Sequence, residues 1–283
     1  MHGVVICEIC LEGNRYLARL DQPARLHIPL QFDHAGDEPA PALQPNHFAA
    51  PRARARALTG DGFTGDTREG GSCNALTLEL TPHCNGTHTE GVGHLTKARK
   101  SVDELLVETL IPAAVISVAP RPPAESDERA RHALRSDDRL VTADALAKAL
   151  AGVPHLPGLI VRTWPNDPDK RHRTYEGASP APFFTLDAAA FARDRGVRHL
   201  LVDTPSLDRA HDEGHLGAHR AFWGMQEGGD TPDPGREHCT ITEMIYADDS
   251  VADGLYLLNL QVAPFDCDAS PARVFVYPLE VAR

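Results

Sequence analysis

Between residues 83 and 94 the chain reads His83-Cys84-Asn85-Gly86-Thr87-His88-Thr89-Glu90-Gly91-Val92-Gly93-His94. Cys84, His88, Glu90 and His94 are all side chains that ligate divalent cations or carry protons. Gly86, Gly91 and Gly93 lie between them and allow a tight backbone, so that side chains four and six apart can converge without a helix. Any one of these residues alone reads as an ordinary polar loop side chain; their grouping points to a metal site. The chemistry such a site supports is hydrolysis. A divalent ion lowers the pKa of bound water from about 15.7 to about 7 and polarises a carbonyl. A neighbouring histidine moves the proton to the leaving nitrogen or oxygen. The expected substrate is a small molecule with an amide, cyclic amide or ester-like bond. The chain has no Gly-x-Ser-x-Gly elbow and no phosphate-binding glycine loop, so serine-nucleophile and phosphoryl-transfer chemistry have no motif to rest on.

The elements around this segment alternate in type. Ala75 to Leu80 has period two with its leucines on one face and predicts a strand; Thr81-Pro82 ends it, and a strand end followed by a glycine-rich turn is a common place for a site. Ser101-Val102-Asp103-Glu104 predicts a capping box and a helix through Leu110. Ala114 to Ala119, Leu159 to Thr163 and Val197 to Asp203 predict strands. Helices are predicted from Thr142 to about Ala151, with Gly152 at its end, and from Thr185 to Arg195, ended by Gly196. Thr240 to Tyr246, Leu255 to Val262 and Ala272 to Tyr277 predict closing strands. Strands alternating with helices, then strands alone, imply an α/β domain with a mixed sheet. Residues 33 to 74, rich in Pro, Gly, Asp and Arg, read as a long ordered loop region, the kind that usually serves function. Residues 120 to 138, Pro-rich and then charged, read as an exposed excursion.

At 283 residues with 42% hydrophobic and 24% charged side chains, the chain can bury a sizeable core and is not expected to be disordered. A formal charge of -12, with Arg52, Arg54 and Arg56 as the one tight basic run, argues against nucleic-acid or membrane-surface partners. No stretch approaches the roughly 18 apolar residues of a membrane span. Glu8 interrupts the first apolar run and no basic residue flanks it, so no signal peptide is expected and a cytoplasmic location is the expectation. The 6 cysteines are too scattered for a disulfide scaffold. Cys7-x-x-Cys10 has metal or redox spacing without a second pair, and reads as small residues in a buried strand.

The glycine-rich segment resembles the signature of the metal-dependent cyclase family, which includes bacterial kynurenine formamidases and isatin hydrolases, His-x-Gly-Thr-His-x-Asp-x-Pro-x-His. Gly86, Thr87, His88 and His94 match; Cys84 stands for the first His, Glu90 for Asp and Val92 for Pro, and His83 is an alternative first ligand in a register shifted by one. Asp203-Thr204-Pro205-Ser206-Leu207-Asp208, Ala218-His219-Arg220 and Ile241-Thr242-Glu243 resemble later family segments. The resemblance implies a swivelling β/β/α single domain over 1–283, with residues 120–180 as an insertion, and a homo-oligomer, dimer or tetramer. It implies one metal held by Cys84, His88 and Glu90, a second completed by His219 and Glu243 with Glu90 as bridge, and His94 as proton shuttle. Zn2+ or Mn2+ is expected, a Cys84 thiolate favouring zinc. On the residues alone, His219 equally suits an exposed helix position, Glu243 a solvent-facing strand position, and Asp203 and Asp208 loop caps. Arg68 in the long loop and Trp223, four residues after His219, are candidate substrate contacts; a solvated arginine and a core indole are the plainer readings. Two other functions fit the same residues: a non-catalytic metal or small-ligand binder, its turnover abolished by the changes at Cys84 and Glu90, and a lyase or dehydratase using the metal to stabilise an enolate.

Overall fold

The aliphatic runs of the sequence become the central strands of a computed structural model that describes residues 5–34, 44–175 and 181–282. The elements used below are β1 (Ile6–Leu11), β2 (Asn14–Arg19), β3 (His88–Glu90), α1 (Val102–Leu105), β4 (Leu110–Val118), α2 (Ala143–Ala149), β5 (Gly158–Thr163), α3 (Leu186–Asp194), β6 (His199–Val202), α4 (Gly217–Trp223), β7 (Thr240–Glu243), β8 (Gly254–Val262) and β9 (Ala269–Val281). β4, β5, β6 and β7 are parallel neighbours in that order, in register Ala113↔Gly158, Gly158↔His199 and His199↔Thr240. β8 and β9 extend the sheet antiparallel from β4. The short β3 then pairs with both β9 and β7, so the mixed sheet closes on itself. The α/β class and mixed sheet expected from the sequence are thus present, and closure removes the sheet edges.

Why these runs are central follows from their period. Leu159, Val161, Leu200 and Val202 pack in one core with Leu146 of α2, Ala188, Ala189 and Ala192 of α3, and Phe222 and Trp223 of α4. Their alternates Ile160 and Leu201 join a second core with Ile111, Val115, Leu258, Leu260 and Val274, residues of the closed sheet itself. Strands buried on both faces read as unbroken hydrophobic runs, as these do. Truncating such a side chain, Leu201→Ala for example, costs about 2–5 kcal/mol. The helices start where their caps lie: the Thr142 hydroxyl accepts from Ala145 N at 3.2 Å and the Thr185 hydroxyl from Ala188 N at 3.0 Å.

Two expectations, the length of the helix after Ser101 and the burial of Cys7 and Cys10, are corrected, and two segments carry more regular structure than their composition suggested. The helix opened by Ser101 ends at Leu105 instead of running to Leu110, which is the first residue of β4. Val107, Thr109 and Ile111 are β-branched, and Pro112 disfavours a helical conformation at Ile111. The segment 120–180, expected as an insertion, supplies α2 and the central strand β5, all of whose residues are buried; residues 176–180 lie outside the described set. The loop region 33–74 contains a strand, Arg54–Ala57, paired antiparallel with Leu76–Glu79, although 35–43 also lie outside the described residues. Cys7 and Cys10 sit in β1 of a hairpin turning at Glu12 and Gly13, but Cys10 is exposed and Cys7 only half-buried. Three residues apart on a strand, their side chains face opposite sides and do not converge.

Candidate metal centre

β3 is a wedge of three residues, and the two-residue period of a strand decides what it presents. Thr89 faces away, its hydroxyl 2.7 Å from that of Thr242. His88 and Glu90 face the other way, and Glu243 is the direct cross-strand partner of His88, so it shares that face. The glycine-rich flanks hold the wedge in place. The Thr87 hydroxyl donates to Met244 O at 2.6 Å and accepts from Ile28 N at 2.9 Å. Gly86 has φ +115°, a conformation L side chains rarely adopt, and a Cβ on Gly93 would come within 2.1 Å of Lys100 O. Gly91 N donates to Asp268 O at 2.9 Å, after which a single 3-10 turn, Val92–His94, swings His94 back over Glu90.

Four imidazoles surround the Glu90 carboxylate. His219 Nε2 is 2.8 Å from Glu90 Oε1 and 3.4 Å from Glu243 Oε1. His88 Nε2 is 3.4 Å from Glu243 Oε2. His83 Nδ1 and His94 Nε2 lie 2.9 and 3.9 Å from Glu90 Oε2. The second nitrogen of every ring is held from behind. His88 Nδ1 faces Gly86 O at 3.0 Å, and a carbonyl can only accept, so this nitrogen carries the proton and Nε2 is left as a lone pair. Asp208 Oδ2 is 2.6 Å from His219 Nδ1, and the same carboxylate accepts from the backbone amides of Ala218 and His219. Asp268 Oδ2 reaches His83 Nε2 at 2.8 Å and His94 Nδ1 at 3.1 Å. Glu243 is fixed by Leu207 N, which donates to its Oε1 at 2.7 Å.

Burial disfavours the charge of Glu90, yet His94, His219 and His83 hold its carboxyl well below the usual range. Burial and the Glu90 charge push Glu243 up, but His219 and His88 bring it down to about 2. Burial opposes a charge on His219, which Glu90, Asp208 and Glu243 overcome, holding it well above the ordinary imidazole range. Burial likewise opposes a charge on His83, and its contacts with Asp268 and Glu90 raise it to about 10. A carboxylate as buried as Glu90, 1% exposed, requires positive charge beside it. A divalent cation bound here would supply that charge in place of protonated histidines, and the donors fit one. His83, Glu90 and His94 form one trio, and His88, Glu90 and Glu243 another, with ligating atoms all within 4.8 Å of one another. His88 Nε2 is buried without a hydrogen-bond partner, its nearest acceptor, Glu243 Oε2, standing 3.4 Å away. Imidazole and carboxylate donors suit zinc or manganese, and rings held by outer acceptors are the usual setting of histidine ligands.

The structure therefore brings together His88, Glu90, His94, His219 and Glu243 from the sequence reading. His219 and Glu243 are buried, unlike the exposed positions the residues alone allowed. Cys84 belongs to neither trio; its thiol is buried and pushed up by that burial and by the Glu243 charge. Trp223 is a core residue, with 0% exposure and its indole N–H donated to Cys239 O at 2.9 Å, although its ring packs 6.0 Å from that of His219. Full burial leaves it no surface to offer a substrate. Arg68 pairs with Asp66 through a fork of hydrogen bonds and is exposed on the loop. Asp203 takes the Lys170 ammonium at 2.7 Å and the Thr163 amide at 2.8 Å, a structural role, whereas Asp208 supports a site histidine. Asp268 and His47 carried no signal in the sequence. Asp268 lies 174 residues from His94. His47 is 1% exposed with both ring nitrogens unpartnered, and its amide donates to Cys84 O at 3.0 Å.

A closed mixed sheet carrying buried histidines and carboxylates at one strand junction defines an α/β protein with a candidate metal centre. The chain belongs to the cyclase family, whose model, described as a putative cyclase, matches residues 25–209. It is 27% identical over 216 residues to a kynurenine formamidase of Bacillus cereus strain ATCC 14579, covering 75% of this chain and 83% of the relative. It is 26% identical over 214 residues to a kynurenine formamidase of Bacillus mycoides, with 74% and 82% covered. Among solved structures, isatin hydrolase A from Labrenzia aggregata, bound to benzyl benzoate, superposes with TM-score 0.57 at 18% identity over 92% of this chain and 94% of that one. A predicted metal-dependent hydrolase from Bacillus stearothermophilus superposes with TM-score 0.54 at 16% identity, over 90% and 98%. At these identities the structures share the fold.

Proposed function

We propose that this chain is a metal-dependent hydrolase acting on the C–N bond of a small-molecule amide, either a formamide or a cyclic amide. One observation carries the reading: His83, His88, His94 and His219 turn one nitrogen each toward the Glu90–Glu243 carboxylates while an oxygen acceptor holds the other. The names of the relatives, kynurenine formamidase and isatin hydrolase, support the substrate class. A divalent cation bound there supplies Lewis acidity, bringing the pKa of a water to about 7.

The residues then divide the work. His88, Glu90, His219 and Glu243 hold the cation, and we place His83 in that ring in preference to Cys84. His94, half-open to solvent, carries the proton to the leaving nitrogen. Zinc or manganese, a homo-oligomeric assembly and a cytoplasmic location belong to the same proposal; no helix among the described residues is long and apolar enough to cross a membrane. The test is metal analysis of untagged protein combined with hydrolysis of formanilide and isatin before and after chelation. About one or two divalent ions per chain are expected, with activity lost on chelation and restored by zinc or manganese. Full turnover by metal-free protein sinks the proposal, and bound metal without turnover of any amide favours a binding protein.

A further inference from the structure

Resting on the reading of His94 as proton carrier, the geometry points to Asp268 as the positioning residue that selects the His94 tautomer and aims its Nε2 at the reaction centre. A neutral imidazole exists in two forms, and which nitrogen is free is set by the bond the other makes. Asp268 Oδ2 stands 3.1 Å from His94 Nδ1. An ionised carboxylate only accepts, so the proton of neutral His94 is drawn to Nδ1 and the lone pair is left on Nε2, the nitrogen that faces Glu90 Oε2 at 3.9 Å.

The backbone places this carboxylate firmly. Asp268 immediately precedes β9, whose first residue, Ala269, pairs with Glu90. Its carbonyl accepts from Gly91 N at 2.9 Å, three residues before His94. The preceding residues are tied to α1: Cys267 O accepts from Val102 N at 2.8 Å, and Phe265 O accepts from the Ser101 hydroxyl at 3.0 Å. The side chain is thus anchored on the motif strand and on the helix that follows it. The same Oδ2 accepts from His83 Nε2 at 2.8 Å, and the His83 and His94 rings stack with centroids 4.1 Å apart and an interplanar angle of 30°. His83 therefore backs the His94 ring and limits its swing. Outer partners of this kind contribute roughly 10–100-fold to the function of the histidine they hold.

The experiment is a double-mutant cycle on the zinc-loaded protein with formanilide as probe, together with 15N NMR of the histidine rings. With excess zinc keeping every variant loaded, because Asp268 also holds the ligand His83 and its loss weakens zinc affinity, Asp268→Ala is expected to lower kcat roughly 10–100-fold with KM near wild type, and to add nothing further to kcat in a His94→Gln background. Asp268→Asn, whose amide oxygen can still accept, is expected to recover part of the loss and guards against a folding defect. In the NMR spectra the His94 signals, identified by their absence in His94→Gln, should report Nδ1–H in the wild type and shift toward Nε2–H in Asp268→Ala. An equal kcat loss for Asp268→Ala with and without His94, or an unchanged His94 tautomer, overturns the assignment. If His94→Gln itself leaves kcat untouched, the reading of His94 as proton carrier fails first. If formanilide is not turned over at all, the NMR comparison alone decides the role of Asp268.

Discussion

The two sides of Glu90 are built differently. On one, His88, His219 and Glu243 come from β3, α4 and β7, and their side chains are 0%, 2% and 5% exposed. On the other, His83, His94 and Asp268 come from turns and a strand end and are 23%, 24% and 38% exposed. A ligand set gains from rigid elements that fix distances before the cation arrives. A group that exchanges protons with the medium needs a path to water, which the closed wall denies. The contrast therefore separates holding by the closed wall from proton traffic through His94 on the open one, with Glu90 common to both and His83 the ligand contributed from the open side.

The largest effect should fall on the shared residue. Glu90→Gln removes the carboxylate both walls converge on, and metal content and hydrolysis are expected to drop to background together; retained metal would break the picture of a common centre. On the open wall, His94→Gln is expected to lower kcat by roughly 10²–10⁴ with metal retained, as general acid–base catalysis contributes about that much. Parallel loss of metal would make His94 a ligand and erase the distinction between the walls. On the closed wall, Asp208→Ala frees His219 Nδ1, and metal affinity is expected to fall about 10–100-fold, measured by competition with a chelator. An unchanged affinity there, with reduced kcat, would move proton traffic to the closed side.

How much of this was readable beforehand depended on whether the signal was local. Thr142 and Thr185 mark helix starts because a cap needs only its own first turn. His88 and Glu90 stand out because two-residue spacing and flanking glycines carry their meaning within one strand. Asp208 and Asp268 were opaque as partners: Asp208 lies 11 residues from His219 across an irregular loop, and Asp268 reaches the motif only through closure of the sheet. The helix expected after Ser101 failed because cap and pattern were local while the strand β4 that ends it is dictated by pairing with β5 and β8. Residues 120–138 read as an exposed excursion from their proline-rich and charged composition, and 120–180 as an insertion from a poor match to the family signature, yet Leu159, Ile160 and Val161 are core. Composition at one end of a segment does not report burial at the other.

A pH experiment sharpens the contrast on the open wall. Without a cation, burial opposes a charge on His83, but its contacts with Asp268 and Glu90 push its pKa up to about 10 from an ordinary 6.5. A histidine pKa raised by folding contributes stability that is fully present below pH 6.5 and is lost as pH climbs through about 10. Urea midpoints of chelated protein should therefore fall between pH 6.5 and 10, by an amount on the order of a few kcal/mol at most. His83→Ala should flatten that part of the profile. An equally steep decline in His83→Ala would assign the pH dependence to other groups.

The smallest effect is expected at Cys84, where this chain departs from the family signature. Its thiol is buried and held protonated by that burial and by the charge of Glu243, and it stands in neither trio. A thiolate ligand needs the reverse, a cation close enough to hold it deprotonated. Cys84→Ser exchanges a weakly polar group for a hydroxyl that would be buried, so a stability cost of about 1–3 kcal/mol is expected if it finds no partner. Metal content and kcat are expected to stay near wild type, and Cys84→Ala should behave alike with less loss of stability. His83→Ala, one residue away, should be the more harmful of the neighbours for metal affinity, because its Nδ1 lies 2.9 Å from Glu90. Metal analysis of the two variants side by side decides the register. Metal lost from Cys84→Ser but kept by His83→Ala would put the thiolate in the ligand set and His83 outside it. Alkylation gives an independent reading: a thiol shielded by packing stays unreactive whether or not the cation is present, whereas a ligand becomes reactive after chelation.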